Sequence, residues 1–123
     1  MDGEGNVARI MEYVPLIQSA KPLRRHTIGA YELVLWGEIV SVGAVQYTYI
    51  VAVHREGVEE PVLYVAAEVN AMRRVFGGGS HFLAVFDDEG HHNYGASDRW
   101  GDADTFFTHA EELIRARLEL SDA

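Results

Sequence analysis

Six histidines, no cysteine and a short acidic run define the chemistry this chain can attempt. His91 and His92 are adjacent, Asp87, Asp88 and Glu89 stand just before them, and His109 lies further on. A transition-metal site needs three or four donors within about 2 Å of one point. Neighbouring side chains on a strand point to opposite faces, so His91 and His92 cannot both serve one site within a sheet. HHNYG also lacks the HExxH spacing that sets two histidines on one helix face. One of the pair with Asp88 or Asp98 is the combination left to a metal. We prefer a polar hairpin end on an edge strand, with no metal ligand and no cofactor assigned.

Nucleophilic catalysis has no better footing. Ser80 and His81 are neighbours, which aims them apart in a strand, and no GxSxG elbow exists. Asp87 and Asp88 supply a raised-pKa acid only if one is buried beside the other, and acids in a DDEG turn are ordinarily solvated. Gly77, Gly78 and Gly79 suggest a phosphate loop, but no Lys-Ser/Thr follows and Ser80 leads into a strand. A flexible connection is expected there. The sequence therefore leans away from an enzyme.

The elements that must carry these residues centre on positions 31–70, where YELVLWGEIVSV, AVQYTYIVAVHR and PVLYVAAEVN read as consecutive strands. A tight turn at Val42-Gly43, with Gly43 at positive φ, would pair Trp36 with Tyr49, Val34 with Val51 and Glu38 with Tyr47. The alternate set pairs Leu35 with Ile50 and Leu33 with Ala52. One face then becomes aliphatic, joined by Leu63, Val65 and Ala67. The other becomes aromatic: Val34, Trp36, Tyr47, Tyr49, Val51 and Tyr64, together with Glu32, Glu38 and Glu68. A slip of one residue would exchange these sets, and Gly37 could mark a bulge that causes it.

Around this sheet, Val7, Ile10, Met11, Val14 and Ile17 space an amphipathic helix that Pro15 interrupts. Residues 1–29 are thus expected to be a helical segment and a basic linker. A short helix at 70–76, strands at 81–87 and 91–97, and a loop holding Trp100 follow. From about Ala103, Phe106, Phe107, Ala110, Leu113, Ile114 and Leu118 make the clearest helical stripe, capped by Asp102 or Asp104. The expected architecture is one α+β domain over residues 1–123. Its mainly antiparallel sheet has about five strands in the order α-β-β-β-(short α)-β-β-α, and the C-terminal helix packs on the aliphatic face.

At 123 residues with 48% hydrophobic side chains, the chain can bury roughly two thirds of its unfolded surface. No apolar run approaches the ~18 residues of a membrane span. An acidic start and the lack of cysteine suit a cytoplasmic protein. Nineteen acids against ten bases give a net charge of −9, which disfavours nucleic acid as a partner. Lys21, Arg24 and Arg25, like Arg73 and Arg74, read as solvated loop surface. In element order, acidity and length the chain resembles the type III secretion chaperones, and that resemblance implies an acidic dimer that holds another protein. The glycine-rich loop at 76–80 departs from that pattern.

Two functions follow as expectations. The first is a non-catalytic module that forms a homodimer or binds a protein partner through Val34, Trp36, Tyr47, Tyr49, Val51 and Tyr64. The alternative is a small-molecule binder or enzyme whose pocket lies near the glycine loop, with His81, Asp88, His91 and His92 at its mouth.

Overall fold

A computed structural model describes residues 14–119, apart from 73, 74 and 76. Six antiparallel strands form one meandering sheet in the order of the sequence. They are β1 (Ile17–Ile28), β2 (Tyr31–Ser41), β3 (Tyr47–Arg55), β4 (Pro61–Val69), β5 (His81–Asp87) and β6 (Gly90–Ser97). A 3-10 turn at Asp98–Gly101 buries Trp100 and leads into helix α1 (Ala103–Arg117). The α+β class and the C-terminal helix on one sheet face are as expected; the strand count is six, not five.

The extra strand is β1, which occupies positions expected to be helix and linker. Most of its side chains are exposed, so no hydrophobic period marks it. Pro22 is tolerated because an edge strand has a side where no partner needs its N–H. Its bases are solvated, as expected, but on a strand instead of a loop, and each has a partner: Lys21 pairs with Glu38 (3.8 Å), Arg25 with Glu32 (3.5 Å), Arg24 with Asp104 and His26 with Glu111 (3.0 Å). The last two tie the edge strand to α1. The apolar positions Val7, Ile10 and Met11, and the basic pair Arg73 and Arg74, lie outside the described residues.

The register of β3 differs from expectation by one residue. Trp36 pairs with Ile50, Leu35 with Val51 and Val34 with Ala52. The β2–β3 connection is no two-residue turn. It is closed by Ser41 Oγ, which accepts from the Tyr47 N–H at 3.2 Å, and Gly43 is not at positive φ. The left-handed residue is Glu38 instead, at φ 48°, immediately after Gly37. Period-two alternation makes the consequence unavoidable: Val51 and Tyr49 exchange faces with Ile50 and Ala52.

Two cores result. On the helix side, Leu33, Leu35, Val51, Val53, Leu63, Val65 and Val85 meet Phe106, Phe107, Ala110 and Ile114, with Tyr49 stacked on Phe106 at 6.0 Å. Asp102 caps α1 by accepting from the Thr105 N–H at 2.9 Å. On the other face a smaller cluster joins Tyr47, Ile50, Ala66, Ala84 and Phe86, flanked by Ile17, Ile39 and Tyr64. Among the described residues no helix lies over this second face.

The glycine loop is held, not loose. Asn70 Nδ2 donates to Gly77 O (3.1 Å) and Gly79 O (3.0 Å), while Asn70 Oδ1 accepts from the Met72 N–H. Gly79 sits at φ 113°, and a Cβ there would come within 2.6 Å of the Ser97 Cα. Close approach to β6 explains that glycine without a phosphate.

Candidate functional site

The face away from α1 carries an apolar pocket of about 290 Å³. Its floor is Trp36, Ile50, Ala52 and Tyr64; Pro15, Ile17 and Ala20 wall one side, and His54 and Pro61 the other. Strand pairing aligns Val34, Ala52, Tyr64, Phe86 and His91 in one row across the sheet, beside the row Trp36, Ile50, Ala66 and Ala84. Trp36 and Tyr64 remain half-buried, whereas Val34 is 2% exposed.

Beside the pocket, small residues let long ones lean inward. Ala66 and Ala84 are wholly buried. Around them, His91 Nε2 donates to Glu68 Oε2 at 2.8 Å and the imidazole stacks on Phe86 with centroids 4.5 Å apart. Tyr47 meets Phe86 edge-on at 6.3 Å. The Glu68 side chain is 8% exposed. Burial pushes its carboxyl above the usual glutamate range, and His91 opposes that shift in part. Burial, helped by the Glu68 charge and opposed by the Leu16 backbone, pushes the Tyr47 phenol up to about 12. Tyr64 is raised by burial as well. The Tyr47 phenol therefore keeps its proton near pH 7 and remains a hydrogen-bond donor.

The expected interface set divides. Val34, Trp36 and Tyr64 share the pocket face, and a register shift between Tyr47 and Tyr49 brings Tyr47 there opposite Glu68. Tyr49 and Val51 belong to the core under α1. The residues missed are Ile50 and Ala52, hidden by the register slip, and Pro15, Ile17 and Ala20, hidden by reading that segment as helix.

The alternative pocket set does not converge. His81 opens β5 opposite Ser97, while Asp87 closes the same strand opposite Gly90. His91 lies on the pocket face against Phe86, and His92 follows Val85 to the helix side. Asp88 is exposed at the turn between them. Ser80 and His81, expected to point apart, are instead hydrogen-bonded: Ser80 Oγ lies 2.7 Å from His81 Nδ1 and Thr48 Oγ1 2.7 Å from its Nε2. Ser80 precedes the strand, so alternation does not govern it.

At the other end of β5, Asp87 is 7% exposed. Its carboxylate accepts from the Glu89 N–H (2.9 Å), from His92 Nε2 (3.1 Å) and from Arg117. Burial alone would raise its pKa; those donors outweigh burial and hold the carboxyl below the usual range.

Compared with protein families, with curated proteins and with solved structures, the chain finds no match in any of the three. Among the described residues, no helix is long and apolar enough to cross a membrane.

Proposed function

We propose that this chain is a non-catalytic binding module, and that the sheet face away from α1 docks an apolar segment of a second copy or of another protein. The observation that carries this reading is the pocket floored by Trp36, Ile50, Ala52 and Tyr64. At about 290 Å³ it stands at the lower edge of small-molecule sites, which run roughly 300–1,000 Å³, and it offers room for an anchoring side chain. Half-buried aromatic residues around such a pocket concentrate interface energy. The neighbouring Glu68–His91 pair supplies a polar margin that an incoming backbone could satisfy.

Light scattering with circular dichroism tests this on the intact chain and on Trp36→Glu. Self-association predicts an oligomer that the variant dissolves while its fold persists. A monomeric intact chain leaves only the partner form of the reading, tested by pull-down with Trp36→Glu as the control. Equal capture by both proteins removes it. A second reading, a small apolar ligand in the same pocket, is favoured by the pocket's apolar floor and by His54 at its rim. Quenching of Trp36 fluorescence by such a ligand, lost in Ala52→Trp, distinguishes it.

A further inference from the structure

We propose that the β5–β6 turn is a divalent transition-metal site, with Asp87, Glu89 and His92 as its protein ligands. It lies on the helix side of the sheet, apart from the pocket discussed above, so neither proposal depends on the other.

The hairpin itself produces the convergence. Asp87 pairs with Gly90 and Val85 with His92. Val85 and Asp87 are two apart and share a face, so His92 is a diagonal neighbour of Asp87 while His91 goes to the opposite face. The adjacent histidines are thereby separated: one imidazole is left for each side.

Distances fit one ion. Ligand atoms of Asp87, Glu89 and His92 lie within 4.8 Å of one another. His92 Nε2 and Asp87 Oδ1 are 3.1 Å apart. With metal bonds of about 2.0–2.2 Å, two donors on one ion stand roughly 3–3.5 Å apart, so this pair needs only to lose the proton between its atoms. Glu89 is exposed at the turn, and rotation of its side chain closes the remaining gap.

The surroundings complete the site. Arg117 donates to Asp87 Oδ2 and the Glu89 N–H to Oδ1, which together fix the carboxylate plane, the outer-shell role that orients metal ligands; the second lone pair of Oδ1, now turned to His92, is the one the ion would take. Two carboxylates against one guanidinium leave a net negative charge to receive a dication. A pocket of about 340 Å³, bordered by Asp88, Arg117 and Leu118, adjoins these residues and has room for waters in the remaining positions. One imidazole with two carboxylates favours zinc and its first-row neighbours over magnesium or calcium, which take oxygen donors alone.

Calorimetric titration of the intact protein with zinc chloride, and separately with magnesium chloride, tests the assignment near neutral pH. One zinc per chain is expected, bound at least about tenfold more tightly than magnesium. His92→Ala and Glu89→Gln should each weaken zinc by at least about tenfold, with His91→Ala unchanged. Glu89→Gln alters an exposed turn residue, so it carries the test if His92→Ala fails to fold. No stoichiometric zinc, zinc binding unaffected by Glu89→Gln, or equal loss in His91→Ala overturns the site.

Discussion

The two faces of this sheet are made by the same strands but buried by different means. On the helix side, rows such as Leu35, Val51, Val65 and Val85 are aliphatic and α1 supplies Phe106 and Ile114 against them. On the other side, alanines at 66 and 84 form a floor, and aromatic and ionisable side chains from neighbouring strands lean over it. The first arrangement is dry and gains stability from packing. The second holds a buried carboxyl and an open pocket, features that cost stability and that binding can use. Substitutions at matched positions should separate the two.

The largest contrast is between Tyr49→Glu and Tyr64→Glu. Tyr49 is partly buried and stacked on Phe106 in the helix-side core, so a carboxylate there loses the stack and meets apolar side chains with no partner, and circular dichroism should show a strongly destabilised or unfolded chain. Tyr64→Glu, at the pocket floor, should keep the fold and lose association. Should both variants unfold, the second face is an ordinary core and the docking proposal fails.

Next comes Phe106→Ala. The ring is wholly buried, and its loss should cost about 3–5 kcal/mol in urea unfolding. A loss below about 1 kcal/mol would mean that the helix-side core collapses around the gap, and that the two faces differ less in packing than described.

How far the sequence carried this picture depends on how strongly each segment was patterned. The strands from β2 to β6 and α1 were legible because aromatic and β-branched runs, or a stripe at three and four residues, mark them. Even so, Leu113 in that stripe is only partly buried, and Ile114 is the fully buried residue. β1 was not legible: exposed on nearly every position, it is specified by pairing with β2 and by cross-strand charges, which are properties of the partner. The site was half legible for a related reason. Trp36 and Tyr64 announce themselves, but which residues join them depends on the β2–β3 register, and that was decided by a left-handed Glu38 and a Ser41 hydrogen bond.

On the pocket face the effects should be smaller. His91→Ala removes the only hydrogen bond to the Glu68 carboxyl found among the described residues, and the stack on Phe86 with it. Leaving that group unsatisfied should cost about 1–3 kcal/mol, far more than an exposed hairpin histidine would. His92→Ala should cost less, because Asp87 keeps Arg117 and the Glu89 N–H. Equal losses in the two variants would contradict this ordering, and thermal melts at matched pH compare them directly.

The smallest expected effect is also the one that best distinguishes the faces, because its sign depends on pH. Burial raises the Glu68 pKa above its ordinary value of 4.5, so the folded protein holds that proton more tightly than the unfolded chain does. Stability from this group is fully present below the ordinary glutamate value. It is lost as pH rises through the higher folded-state value. Glu68→Gln keeps an acceptor for His91 and removes the titration. Its stability at pH 7 should match that of the intact chain or exceed it by up to about 1 kcal/mol, and its slope between pH 4.5 and 7 should flatten. Urea unfolding of both proteins across that range measures this. If Glu68→Gln is instead less stable at pH 7, the attraction between the ionised carboxyl and His91 outweighs its burial, and the pocket margin acts as an ion pair.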